Sequence, residues 1–418
     1  MKVLSLFDGM ACGYLAMHRS GLSVSRYEAF EVDKYAIKTS SHNFPSIKHR
    51  GDVFEGNFEE FKGFDFLLGG SPCTYWSIAQ KNNRETEASG MGWELFSQYV
   101  RALKEAQPKY FIYENNKSMS NAIRESITKT FGFEPICINS ALVSAQNRQR
   151  LYWVGKRNED GTYSKVEVER PIDRGIMLEN ILIGVARIPE YGNPSKARAL
   201  GSSYANKGCG EGSLKTDAFP DNPNKQVFDY VTEPVRAGAM PKPIESKTLE
   251  KAIPDIVVKF GYLPKMFNAY NRAEIKDKAP TLSTGSMVTS SCAVNRLEEI
   301  CCFAIPCEWD EDGKPTKAVS CADGKTYQVY EVKRGFITIK GKEYPVKLDD
   351  GFYIIRKLTV RECMRLQTVP EWYEFPVSDS QAYKMLGNGW TVDVISYLIT
   401  EALANKPIKG QISIYDLI

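Results

Sequence analysis

Apolar residues cluster in short runs at 2–7, 27–32, 64–68, 110–113, 135–138 and 151–154, most of them closed by Gly, Asp, Asn or Pro. Runs of this length predict buried strands. Between some of them the apolar positions shift to a three-to-four spacing, at 14–20, 93–106 and 117–131, which predicts helices with one buried face. Strands separated by helices imply parallel crossovers and a doubly wound α/β sheet. In such sheets ligands lie beyond the carboxyl ends of the strands.

After residue 156 the texture changes. Asn193-Pro194, Gly208 to Gly212 and Pro220-Asp221-Asn222-Pro223 break the chain into short pieces, and the β-like stretches 327–332 and 335–339 predict small antiparallel hairpins. Helical spacing returns at 359–367 and 392–404. The expected organisation is a first domain over residues 1–157, a loop- and β-rich second domain over 158–350, and a segment 351–418 that completes the first. A length of 418 residues suits two to three domains.

Hydrophobic residues make up 43% and charged residues 25%, the balance of a soluble globular chain. No apolar run approaches a membrane span, and the opening Met1 to Leu15 does not read as a signal peptide, so a cytoplasmic setting is expected. A net charge of +3 carries no bulk signature of a nucleic-acid binder. The ten cysteines have no repeating spacing, and Cys301, Cys302, Cys307 and Cys321 lack paired C-x-x-C spacing or a nearby His, so neither a disulfide framework nor a metal site is expected. All three histidines (His18, His42, His49) fall in the first fifty residues, which leaves carboxylates, Arg and a thiol as the chemical repertoire.

Three segments carry chemistry. Leu67-Leu68-Gly69-Gly70-Ser71-Pro72-Cys73 runs an apolar strand into two glycines and a Pro-Cys, placing a thiol at the ligand edge of the sheet. Alone, it reads better as a buried structural Cys. Tyr113-Glu114-Asn115-Asn116 puts a carboxylate at a strand end, a position also common for solvated or capping groups. Gln146-Asn147-Arg148-Gln149-Arg150 sets two arginines at i and i+2, on one face of an extended chain, where a bland reading makes them surface charges.

In this order the three segments resemble the motifs of the cytosine-5 DNA methyltransferase family. Ser5-Leu6-Phe7-Asp8-Gly9-Met10-Ala11-Cys12-Gly13-Tyr14-Leu15 looks like the animal de novo branch, within a chain of bacterial or phage type. Arg356 to Gln367 and Met385-Leu386-Gly387-Asn388-Gly389 are similar to the family's last two motifs, so the resemblance covers about 1–157 and 354–400. Asn116 stands where the family usually has Val, and Gly389-Trp390 where Ser-Val is common; both departures bear on pocket geometry rather than on the reaction.

The resemblance implies a SAM-dependent, Rossmann-like catalytic sheet and a β-rich target-recognition domain. It implies Cys73 as nucleophile toward cytosine C6, Glu114 as the acid near N3, and Arg150 and Arg148 as groups that orient Glu114 and hold the cytosine O2. For S-adenosylmethionine (SAM) it implies Phe7, Asp8, Gly9 and Gly13 in the first turn, Glu31 on the ribose, Asp52 and Val53 at the adenine, and Pro72 and Asn388 closing the pocket. Double-stranded DNA is the implied partner, with a flipped base. Ser77 and the glycine-flanked span 77–92, with Lys81 and Arg84 toward phosphates, would form a lid. No protein partner is evident. The rivals are a non-catalytic relative, against which the joint presence of Cys73, Glu114, Arg148 and Arg150 speaks, and the same chemistry on RNA, against which the long middle domain speaks.

Overall fold

The structure is a computed structural model and describes residues 1–77, 84–181, 246–269, 272–276, 278–280, 291–296, 307–309, 315–319, 326–327, 329–339 and 341–404. Lys81, the break-rich segments between 193 and 223, and Cys301, Cys302 and Cys321 lie outside them.

The first sheet contains β1 (Lys2–Leu6), β2 (Arg26–Phe30), β3 (Lys48–His49), β4 (Phe66–Gly69), β5 (Tyr110–Asn116), β6 (Ile136–Asn139), β8 (Gln149–Arg157) and β9 (Tyr163–Lys165). Its order is β3-β2-β1-β4-β5-β8-β6, with β9 on the far end of β8. The strands from β3 to β5 run parallel, whereas β8 is antiparallel to β5 and β6. Only residues 140–148 join β6 to β8, too few for the crossover that a parallel pair requires.

Side-chain alternation along the strands divides the core between two faces. Val3, Phe66, Leu68, Ile112, Tyr152 and Val154 face one cluster, which also holds α1 (Cys12–Arg19), α2 (Lys34–Asn43), and the C-terminal helices. Leu4, Leu6, Leu67, Phe111, Tyr113 and Trp153 face the other, packed by α3 (Gly90–Ala106) and α4 (Asn121–Phe131). The sheet is therefore doubly wound, with antiparallel β8 and β9 added to the parallel set.

A second sheet has the order β11-β10-β13-β20-β17-β18-β19, built from β10 (Met266–Asn268), β11 (Ala273–Glu274), β13 (Ser291–Arg296), β17 (Val329–Lys333), β18 (Phe336–Ile339), β19 (Lys342–Pro345) and β20 (Gly351–Lys357). The expected hairpin is β17 with β18, turned by Arg334 and Gly335 at φ 53° and 76°, the paired left-handed conformation that suits a two-residue hairpin. Against this sheet packs α5 (Ser246–Phe260), whose Leu249, Ala252, Ile253 and Ile256 are buried. Three short strands, β14 (Cys307–Trp309), β15 (Pro315–Val319) and β16 (Thr326–Tyr327), form a separate sheet, and β12 (Ala279–Pro280) pairs with β7 (Gln146–Asn147).

The chain then returns to the first sheet through α6 (Val360–Leu366), α7 (Asp379–Asn388) and α8 (Val392–Leu403). A reciprocal cap starts α6: Thr359 Oγ1 accepts from Glu362 N, and Glu362 accepts from Thr359 N. Contacts across the chain seat these helices: Arg19 pairs with Asp393, Ser20 Oγ meets Ser396 Oγ at 2.8 Å, and Tyr373 donates to the Met10 carbonyl at 2.6 Å. No helix among the described residues is long and apolar enough to cross a membrane.

Candidate functional site

The carboxyl edge of β4 carries the thiol. Gly69 and Gly70 are glycines because of what lies against them. A methyl group on Gly69 would stand 2.8 Å from the Tyr99 ring, and one on Gly70 would stand 2.7 Å from the Glu114 carbonyl oxygen and 3.0 Å from Oε2. Two bare residues thus let the Pro-Cys turn lie against β5. Ser71 is buried and bonded to β5, with its Oγ 2.7 Å from the Tyr113 hydroxyl and its carbonyl accepting from Asn115 Nδ2 at 3.1 Å. Pro72 is exposed at φ −49°, and half-buried Cys73 begins a single 3-10 turn, Cys73–Tyr75. Its carbonyl accepts from Ser77 N at 2.9 Å, which places Ser77 at the end of that turn.

Glu114 lies on β5, and Arg150 comes from the neighbouring β8, where Asn116 pairs with Arg150 and Glu114 with Tyr152. The two side chains are diagonal neighbours across the ladder, within reach of one another. Arg150 Nε sits 3.0 Å from Glu114 Oε1, and both side chains are about nine-tenths buried (12% and 11% exposed). Trp390 Nε1 donates to the other oxygen, Oε2, at 2.8 Å. Both carboxylate oxygens are therefore held.

Arg148 and Arg150 do different work. Arg148 is 3% exposed and donates to the carbonyls of Gly387 at 3.2 Å and Gly389 at 2.9 Å. Burial, and then repulsion from Arg150, pull its guanidinium down to about 10, while the charges of Glu114 and Cys73 oppose that fall. It stays cationic at neutral pH and fastens the turn after α7 beside the carboxylate. Both carbonyls belong to the end of α7 and the turn after it, so Arg148 ties that turn to the sheet edge that carries Glu114.

The first turn is bent by three residues at positive φ: Phe7 at 57°, Gly9 at 58° and Ala11 at 63°. Gly9 N donates to Glu31 Oε2 at 2.7 Å, while Glu31 Oε1 accepts from Val32 N and Asp33 N, each at 2.8 Å. Asp8 is buried and accepts from the Tyr27 hydroxyl at 2.7 Å, but its Oδ2 has no partner. Burial pushes the Asp8 carboxyl up to about 6, against hydrogen bonds from Ser5 and Tyr27 and with help from the Glu31 charge. Gly13 is packed from the strand side. A methyl group there would meet the Tyr27 hydroxyl at 2.7 Å and Leu68 at 3.0 Å, so its bareness lets the start of α1 pack against the strands. Around Gly9 the space is open.

Asp52 caps the short turn Val53–Glu55 by accepting from Phe54 N at 3.0 Å, and Val53 is buried. The apolar side chains that face solvent near these two acids are Val32, 69% exposed, and Phe54, 45% exposed. Neither was singled out from sequence. An exposed apolar residue directly after a strand-end acid was the available signal. Asn388 is exposed at the end of α7.

The lid expectation is narrowed. Helix α3 begins at Gly90, and Gly92 is packed so closely that a methyl group would stand 2.5 Å from Trp76 Nε1. Glu85 accepts from Trp76 Nε1 at 3.0 Å and Gly92 N at 3.2 Å, and Arg84 donates to the carbonyls of Trp76 at 3.2 Å and Ser118 at 2.7 Å. In this arrangement Arg84 turns inward, and Gly90 and Gly92 lie in the first turn of α3. Lys81 is outside the described residues.

A family model described as C-5 cytosine-specific DNA methylase matches residues 1–180 and 222–404. The type II methyltransferase M.FnuDI of Fusobacterium nucleatum is 26% identical over 99% of this chain and 98% of its own length. The orphan methyltransferase M.SPRI of Bacillus phage SPR is 33% identical, over 38% of this chain and 38% of its own, so the match spans well under half of that relative. Among solved structures, the Entamoeba histolytica methyltransferase EhMeth superposes with a TM-score of 0.51 at 12% identity, covering 96% of this chain and 97% of that one, which supports the shared fold.

Proposed function

Since the chain belongs to the C-5 cytosine-specific DNA methylase family, we propose that it methylates C5 of cytosine in double-stranded DNA through a covalent bond from Cys73. The observation that carries this reading is that the turn into Cys73 lies on β5, with Gly70 against Glu114 and the Cys73 carbonyl accepting from Asn116, beside a Glu114 carboxylate held at both oxygens by Arg150 and Trp390.

Cytosine C5 is a weak nucleophile, and a thiolate added at C6 makes it enamine-like. The Cys73 sulfur pair forms the S–C6 bond, and the C5–C6 π pair moves toward C4 and N3. Glu114 is the group placed to hydrogen-bond or protonate N3 and so neutralise that charge. After C5 has gained its methyl group, a base removes the C5 proton, the pair re-forms the double bond and the Cys73 thiolate leaves. Such chemistry needs the base outside the duplex stack.

The residues at the first turn fit SAM, which when bound supplies an electrophilic methyl group. Gly9 has open space beside it, and Val32 and Phe54, next in the chain to Glu31 and close after Asp52, offer exposed apolar surface of the kind an adenine needs. The partnerless Asp8 Oδ2 suits the ammonium of the methionine part, and Glu31 suits the ribose hydroxyls. Glu31→Ala weakens SAM binding by about 1.5–3 kcal/mol, the range for hydrogen bonds to a charged group. Unchanged affinity by calorimetry takes Glu31 out of the site.

Residues 158–350 choose the target sequence in this reading, and the second sheet, which they form together with β20, is the strand-rich surface for a groove. Relatives named as type II methyltransferases fit a role in DNA modification beside a restriction enzyme. Bisulfite sequencing of DNA from cells expressing the chain tests the whole proposal. Protected cytosines in one short sequence context are expected; a genome no more protected than that of cells expressing Cys73→Ser overturns it.

A further inference from the structure

Trp390 occupies a position where the sequence departs from the family pattern, and it makes the second contact to the carboxylate. We propose that Trp390 is a positioning residue for Glu114, fixing the carboxylate plane by holding Oε2 while Arg150 holds Oε1; this role rests on the reaction proposed above.

The indole is held in place from several directions. Before it, the Gly389 carbonyl accepts from Arg148 at 2.9 Å; after it, Thr391 Oγ1 meets Ser140 Oγ and Gln367 Oε1, each at 2.8 Å. The ring lies toward the first turn, where a methyl group on Gly13 would stand 3.8 Å from Cζ3. On the other side, the missing side chain of Gly70 leaves Oε2 its space. The indole nitrogen therefore reaches Oε2 from a pinned backbone.

An indole suits this task chemically. It is a donor without charge and without an acceptor atom, whereas each carboxylate oxygen has two lone pairs. Trp390 occupies one pair on Oε2 and leaves the other for the cytosine or for a proton. Unlike a second arginine, it adds no positive charge, and it keeps donating whether the carboxyl is ionised or neutral. Val, with no polar group, has nothing to offer Oε2, so a chain with Val in this place would hold that oxygen by other means or leave it free.

The test uses the purified full chain with duplex DNA and separates turnover from binding. Trp390→Phe keeps a ring and removes the N–H; incorporating 3-benzothienylalanine at 390 keeps the indole shape with sulfur in place of N–H, which guards against a folding defect. Both should lower kcat roughly 10- to 100-fold, the consequence of losing one hydrogen bond to a charged group. SAM and DNA affinities should stay near the parent values, and any fall in Tm should not exceed that of Glu114→Gln, which mispairs the same buried oxygens. In a Glu114→Gln background the Trp390 change should cost little more, because the group it positions is already lost. Unchanged kcat, a loss expressed through SAM affinity alone, or the full penalty repeated on top of Glu114→Gln each overturns the role. A parent protein without Cys73-dependent transfer would remove the reaction itself and this role with it, whereas an active parent matched by an equally active Trp390→Phe removes the role alone.

Discussion

Duplex DNA carrying 5-fluorocytosine at the target traps the parent chain after one methyl transfer, and Cys73→Ser gives no adduct that survives denaturing electrophoresis. The expectation follows from how the intermediate breaks down. Release requires the C5 proton to leave as a cation, and fluorine cannot do so, so the S–C6 bond persists. Serine nearly matches cysteine in size, and the turn around position 73 is held by backbone bonds from Trp76 N and Ser77 N to the residue 73 carbonyl, so the substitution leaves the fold intact. DNA binding should survive because phosphate contacts do not involve the thiol. If Cys73→Ser traps as well as the parent, or methylates normally, the nucleophile is misassigned.

Glu114→Gln should form the same adduct more slowly by a factor on the order of 100 or more, the loss expected for a positioned acid. The geometry makes the change more disruptive than its small size suggests. Glu114 receives Arg150 on Oε1 at 3.0 Å and Trp390 on Oε2 at 2.8 Å. An amide has one acceptor oxygen and one donor NH2, so whichever way Gln turns, one of those two donors faces another donor. A buried group left without its partner costs about 1–3 kcal/mol, so a measurable fall in Tm should accompany the slower reaction. Rapid-quench measurement of adduct formation separates this from weaker binding. A parental rate in Glu114→Gln would assign the acid to another residue.

How much of this could be read from sequence depends on what held each element in place. The longer strands of the first sheet were legible because both faces are buried, leaving mostly apolar runs such as Val3, Leu4 and Leu6, whereas the short β3 and β9 were not. Helix α2 was not, because Lys34–Asn43 is rich in Thr, Ser, His and Asn; what sustains it is the Asp33 cap on Tyr35 N and Ala36 N and the burial of Ala36, Thr39 and Ser40. Helix α5 was hidden by Pro254 within it and by the loop-like texture around it. Cys73, Glu114 and Arg150 stood out through their ordered motifs. The partners of Arg148 did not, since the carbonyls it binds lie 239 and 241 residues further along the chain. Trp390 was visible only as a departure, and a departure in sequence has no direction until its neighbours are known.

The pairing of Arg19 with Asp393 joins residues 374 positions apart. A ribosome adding about 5–20 residues per second needs roughly 20–75 s between the two. Through that interval α1 has emerged without the α8 surface that finally covers it, and Arg148 without the Gly387 and Gly389 carbonyls it will bind. A nascent chain therefore carries its thiol and its acid long before it carries the indole and the turn that complete their surroundings. Completion of these surroundings waits on the synthesis of α7 and α8, so a partly made protein holds an unfinished site during the period in which its apolar surface most needs shielding.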